Sequence, residues 1–164
     1  MIVVMDDMLA LTTHLPTVEY AAGDVIISEG GDSSGVWILI SGSLRVTKNG
    51  EEVNTVSLPG SLIGEMSILL GIPDSATVAA RERSVMRYAE DGEGLLTSEP
   101  RIIHLVAVGL AERLNFVTSY LADLKQQYGD APGLAMVPEV LRRLAERRGP
   151  SSQPGSARDP DPEY

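Results

Sequence analysis

The sequence predicts a mainly β domain with flanking helices, a sandwich or roll of short strands followed by one long helix. Three observations carry this. Residues 17–88 are a succession of short β-branched runs punctuated by glycine, an Asn-Gly pair separates two of those runs, and residues 100–128 hold an apolar repeat of helical period.

Taken in chain order, Met5, Met8 and Leu9 lie at helical spacing behind Asp6 and Asp7, so a short leading helix is expected over 5–14, with Pro16 ending it. Strands follow at VII (25–27), VWILI (36–40), LRVT (44–47) and VNTV (53–56). Between the last two, Lys48-Asn49-Gly50-Glu51 contains the dipeptide that best tolerates the positive φ angles of a two-residue hairpin, which makes its flanking strands antiparallel neighbours. Residues 91–98 read as a short helical stretch. Pro100 then suits the first turn of a helix running to about Tyr128, because the N–H that proline lacks has no intrahelical partner there.

That long helix carries the clearest period. Ala107, Leu110, Leu114, Val117, Leu121, Leu124 and Tyr128 are spaced 3, 4, 3, 4, 3, 4, and Ile103 extends the row backwards. This is the a/d alternation of a coiled-coil seam. A single helix laying the stripe on its own domain gives the same pattern. Length favours a homodimer through residues 103–128, because 28 residues span about 40 Å, more than a small β domain covers.

Gly129-Asp130-Ala131-Pro132-Gly133 breaks the helix. A further short helix is expected over 138–148, with Val140, Leu141 and Leu144 inside and Arg142, Arg143, Arg147 and Arg148 on a solvated or, alternatively, phosphate-binding face. From residue 149 the Pro-, Ser- and Asp-rich sequence lacks an apolar period and reads as a disordered tail. The expected organisation is therefore 1–128 for the β domain with its long helix, 129–148 for a linker and short helix, and 149–164 for the tail.

Composition narrows the function classes. At 164 residues the chain holds one sizeable core. Asp and Glu number 23 against 13 Lys and Arg, a formal charge of −10 that repels nucleic acid and anionic membrane. There is no cysteine, hence no disulfide, thiolate metal site or cysteine nucleophile. The start of the chain has no cationic segment, and its longest apolar run is strand-sized, so a cytoplasmic location without a membrane span is expected.

The segment Pro59-Gly60-Ser61-Leu62-Ile63-Gly64-Glu65-Met66-Ser67-Ile68-Leu69-Leu70 reads as turn, short strand, then a helix of one to two turns from about Glu65. A helix start offers unpaired N–H groups, and Gly64 allows close approach to the backbone, so a phosphate cradle with Glu65 available for hydroxyls fits this pattern. An ordinary turn fits it too.

Residues 20–80 resemble the cyclic nucleotide-binding domain shared by the catabolite activators, the regulatory subunits of cAMP-dependent kinase and the cyclic-nucleotide-gated channels. The matching residues are Gly23-Asp24, Glu29-Gly30, Gly42, Pro59-Gly60, Gly64-Glu65-Met66-Ser67-Ile68-Leu69 and Ala76-Thr77-Val78-Ala79-Ala80. With the helices on either side the likeness covers about 5–128. It implies a jelly-roll-like β roll, with a phosphate cassette between Gly64 and Thr77 and cAMP or cGMP as ligand. The implied contacts run from Glu65 to the ribose 2′-hydroxyl and from backbone amides near Ser67 and Ser75 to the cyclic phosphate. The ligand set the resemblance outlines is Gly64, Glu65, Met66, Ser67, Asp74, Ser75, Ala76 and Thr77.

Asp74 departs from that pattern, because it stands where the family carries its phosphate-binding arginine. The charge-assisted contact is lost. A carboxylate ~4 Å from the phosphate repels it by up to about 4 kcal/mol at an effective dielectric near 20. Arg81, Arg83 and Arg87 are the nearest cations that could reroute the contact.

The expected function is thus a non-catalytic regulatory module with a cyclic nucleotide-binding fold. It either senses a cyclic nucleotide weakly or serves as a degenerate dimerisation or interaction module. The alternative is a sensor of another nucleotide or small metabolite acting through a partner protein. Catalysis is disfavoured, since the two histidines, His14 and His104, fall on expected helices outside the β region, and no nucleophilic triad, lysine phosphate loop, metal site or cofactor motif is evident. Direct DNA reading is disfavoured too, because 36 residues after Tyr128 offer one short arginine-bearing helix where such readers pack two or three.

Overall fold

The computed structural model describes residues 2–128 and 136–146. The expected break at 129–133, the last two residues of the 138–148 helix and the tail at 149–164 lie outside the described residues. Eight strands form two antiparallel four-stranded sheets. The strands are β1 (Thr17–Tyr20), β2 (Val25–Ile27), β3 (Val36–Ser41), β4 (Leu44–Lys48), β5 (Glu51–Val56), β6 (Leu62–Ile63), β7 (Thr77–Ala80) and β8 (Ser84–Ala89). Helices are α1 (Ile2–Leu11), α2 (Glu65–Leu70), α3 (Gly92–Ser98), α4 (Pro100–Tyr128) and α5 (Val137–Glu146). One sheet has the order β1-β8-β3-β6 and the other β2-β7-β4-β5. The expected β roll with flanking helices is what the chain forms.

The core lies between the sheets, where Ile27, Trp37, Leu39, Leu44, Ile63, Val78, Ala80 and Met86 pack together. The Trp37 indole N–H donates to the Tyr20 hydroxyl at 2.9 Å, and its ring lies 4.8 Å from that of Tyr88. The largest apolar surface in the roll is thus buried with its one polar group satisfied. In β3, residues 36–39 are buried without alternation. Trp37 and Leu39 face the other sheet, while the opposite face is also covered, Val36 lying beneath Gly92 of α3. The Asn49-Gly50 turn has φ of 53° and 82° and joins β4 to β5 with Lys48 opposite Glu51, the two-residue hairpin read from sequence.

The first helix differs from expectation, since α1 spans Ile2–Leu11 and His14 lies in the following turn rather than on a helix. Its end is fixed from outside. The Arg87 guanidinium of β8 donates to the Leu9 carbonyl and to Thr12 Oγ1, and the Thr12 hydroxyl bonds the Met8 carbonyl, so the last carbonyls of α1 are satisfied without a further turn.

The chain divides into two compact units with the boundary between Val106 and Ala107, inside α4. In the first unit Ile102 and Val106 are buried. In the second, Leu114, Val117 and Tyr128 of the a/d row are about half exposed, as is Tyr120 beside it, and Phe116 is more exposed still. By length and composition α4 is apolar enough to cross a membrane, which corrects the expectation that no segment approaches a span. Glu112 and Arg113 near its middle are costly residues at a bilayer centre.

Candidate functional site

Two crossovers between the sheets meet at one end of the roll. Residues 28–35 leave the end of β2 and enter β3, and residues 64–76 leave the end of β6 and enter β7. Because Ile27 pairs with Val78 and Trp37 with Ile63 in antiparallel ladders, both crossovers start and finish at the same edge. The topology therefore lays the 28–35 loop against the 64–77 cassette. Two backbone bonds join them, Gly30 N–H to the Asp74 carbonyl (2.7 Å) and Asp74 N–H to the Gly31 carbonyl (2.8 Å).

The cassette begins at Gly64, whose φ of 95° is left-handed and whose missing Cβ would sit 2.7 Å from the Gly35 carbonyl oxygen. Any larger residue here strains its own backbone and pushes the loop away. The six-residue α2 follows, closed at Gly71 in the left-handed conformation that terminates helices. Glu65 is buried at its head, while Met66, Leu69 and Leu70 are exposed on its outer side.

Asp74 is 4% exposed. Its carboxylate accepts from Ser33 N–H (3.2 Å), from the Ser33 hydroxyl (2.7 Å) and from the Ser67 hydroxyl (2.8 Å), which also lies 3.1 Å from the Gly64 carbonyl. Three protons on a buried carboxylate take up most of its roughly four acceptor directions. Asp74 is therefore a strut between the cassette and the loop. Further along, Thr77 Oγ1 accepts from Glu29 N–H at 2.9 Å, and the Glu29 carboxylate accepts from Asn49 N–H at 2.9 Å, tying the start of β7 to the loop and to the β4–β5 turn.

Of the residues the family likeness outlines, Gly64, Ser67 and Asp74 come together in one hydrogen-bonded corner. Thr77 joins it through Glu29, Ser75 and Ala76 are half-buried between Asp74 and β7, and Met66 faces outward. The three candidate arginines are committed elsewhere. Arg81 bonds Glu52 and Thr55, Arg83 pairs with Glu19, and Arg87 holds the end of α1. The sequence reading missed Ser33 and Glu29 as members of the corner. Gly30 and the adjacent small polar residues signalled a turn, but nothing in a turn composition tells which distant residue the turn will meet. Among the described residues no cluster of three His, Cys, Asp or Glu side chains could hold a metal.

Residues 17–95 match the cyclic nucleotide-binding domain, the stretch from β1 to the first turn of α3. A CRP-like cAMP-activated global transcriptional regulator of Mycobacterium tuberculosis is 30% identical over 154 residues, covering 90% of this chain and 66% of its own. The chain thus spans just under two thirds of the length of that relative. A cAMP-dependent protein kinase regulatory subunit of Debaryomyces hansenii is 34% identical over 76 residues, 46% of this chain and 17% of its own. The crystal structure of the Thermus thermophilus catabolite activator protein superposes with a TM-score of 0.56 at 25% identity, covering 88% of this chain and 87% of that one. Residues 17–95 thus form a domain of the cyclic nucleotide-binding type. These relatives are named as a transcriptional regulator, a kinase regulatory subunit and an activator protein, and what they share with this chain is the cyclic nucleotide-binding fold.

Proposed function

We propose that this protein is a non-catalytic regulatory module whose phosphate cassette is closed by its own Asp74, so that it does not take cAMP or cGMP as an ordinary member of the family does. It acts instead through a homodimer seam on residues 103–128 and a partner protein. The observation that carries this reading is the buried Asp74 carboxylate bonded to Ser33 and Ser67. It stands where the family likeness implies the phosphate-binding arginine, and it engages the Ser67 hydroxyl, which also lies within reach of the Gly64 carbonyl. A cyclic phosphate in this corner meets a like charge and hydroxyls already engaged. None of Arg81, Arg83 and Arg87 is directed to the cassette by its hydrogen bonds.

The half-exposed Leu114 and Val117 of α4 support the dimer seam. The cAMP-activated name of the mycobacterial relative favours a second reading, a cAMP sensor with a rerouted phosphate contact. Calorimetric titration of the purified chain with cAMP and with cGMP separates the two. No saturable heat in the micromolar range is expected, and micromolar binding of either nucleotide overturns the self-closed cassette.

A further inference from the structure

The loop at 28–35 holds more than the cassette. Beyond the Asp74 contacts, the Ser34 carbonyl accepts from Gly92 N–H at 2.9 Å and the Ser34 hydroxyl reaches the Glu90 carbonyl at 3.4 Å, so the same loop is bonded to the first residue of α3. Gly92 is wedged there. A Cβ on it would meet Ile68 Cδ1 of α2 at 2.4 Å, the Ser34 carbonyl oxygen at 2.7 Å and Val36 Cγ2 at 2.7 Å. Three pieces, the cassette helix, the loop and the start of α3, thus converge on a site with no spare volume. Asp91 caps the start of α3 by accepting from Gly94 N–H at 2.8 Å.

We propose that Asp74 and Ser33 form an internal latch that sets the position of α3 without a ligand. This rests on the self-closed cassette proposed above and extends it from binding to regulation. A ligand phosphate is present only when the ligand is, whereas a carboxylate built into the chain is always at its site, at the high effective concentration that tethering provides. The bonds run in series. Ser67 of α2 donates to Asp74, Asp74 accepts from Ser33, and the next residue, Ser34, accepts from Gly92. Ile68, one position after Ser67, closes the circuit by its packing limit at Gly92. With the circuit closed, α2 and α3 are locked as one body, and the input that moves α3 is whatever opens the Ser33–Asp74 contact. Ser33 is the positioning residue of this device, for its side chain bonds Asp74 while its neighbour Ser34 takes the bond from α3.

The test is hydrogen–deuterium exchange on the full unliganded chain, comparing wild type with Ser33→Ala, Ser33→Thr and Asp74→Asn. Ser33→Ala removes the hydroxyl, and Asp74→Asn replaces one acceptor oxygen with a donor. Each is expected to speed exchange about tenfold at 30–35 and also at 92–96, while β3 and β8 change less than about twofold. Ser33→Thr keeps the hydroxyl and is expected to retain the wild-type pattern, which a role resting on bulk alone would not do. Faster exchange at 30–35 with 92–96 unchanged, a rise shared equally by β3 and β8, or no change in Ser33→Ala overturns the latch. The conservative Ser33→Ala decides the matter if Asp74→Asn folds poorly. Calorimetry with cAMP on wild type fails or succeeds independently, so a cassette that binds nucleotide and a latch that does not reach α3 give different results.

Discussion

The crossover corner and the second half of α4 both stand out in the sequence, the first by its family motif and the second by its a/d period, yet they end in opposite states. At the corner, Asp74, Ser33, Ser67, Thr77 and Glu29 answer one another, and among the described residues no buried side-chain nitrogen or oxygen lacks a partner. Along α4, Leu114 and Val117 keep about half their surface in water and Phe116 keeps 71%. A region whose polar groups are paired internally has little left to offer an incoming anion, whereas exposed apolar side chains on a regular helix have surface still to bury. The contrast supports a protein that receives its signal through contact with another chain and not through the cassette.

The largest way to break that contrast is to remove the strut. Asp74→Leu strands the Ser33 N–H and hydroxyl beneath the cassette and weakens the hold on Ser67. A loss of ~3 kcal/mol is expected from buried donors without acceptors, read as a fall in Tm of about 10 °C. A change within about 0.5 kcal/mol would mean that the corner is solvated and that Asp74 is no strut. Gly64→Ala is next. A left-handed φ and a Cβ placed 2.7 Å from the Gly35 carbonyl oxygen together should cost ~2 kcal/mol by urea denaturation. Gly23→Ala, also at positive φ but with nothing within 4 Å, controls for the backbone part and should cost about half as much.

How much of this was legible beforehand follows from the range of the interactions. The hairpin at Asn49-Gly50, the start of α4 at Pro100 and the turn-strand-helix of the cassette are set by local backbone preference, and their sequence reading matches β4–β5, α4, β6 and α2. The corner is not local. Ser33 and Asp74 are 41 residues apart and meet only because two antiparallel ladders bring both crossovers to one edge. Charge reading at position 74 set the carboxylate against a phosphate, where the structure turns it onto the 28–35 loop. The end of α1 was missed for the same reason, since Arg87, which satisfies its carbonyls, comes from β8.

On the other side of the comparison, Leu114→Asp with Leu121→Asp should leave the chain's own stability within about 0.5 kcal/mol, because Leu114 is 52% exposed and surface changes rarely exceed that. The same pair should halve the mass seen by light scattering if residues 103–128 form a dimer seam, since a charge at an a/d position is left without water or partner. A mass that is the same before and after the substitutions removes the seam, and with it the contrast drawn with the corner.

The smallest effect is a titration. Glu139 in α5 accepts from Arg142 through both carboxylate oxygens (2.6 and 3.0 Å) and from Arg143 Nε at 3.0 Å. The Arg142 hydrogen bonds, and after them that of Arg143, hold its pKa below the ordinary 4.5. A carboxylate whose folded pKa is depressed contributes above its unfolded value and loses that contribution as the pH falls through the folded one, so the pairs act at neutral pH and fade only below 4.5. Carbon-detected NMR titration should place the Glu139 midpoint below 4.5, with Arg142→Ala restoring it further than Arg143→Ala and added salt moving it the same way. Both Glu139 and Asp74 are carboxylates with several donors, but Glu139 is solvated and binds cations. Salt therefore reaches it, whereas salt should leave the neutral serine contacts of Asp74, and the amide exchange of the 28–35 loop, unchanged.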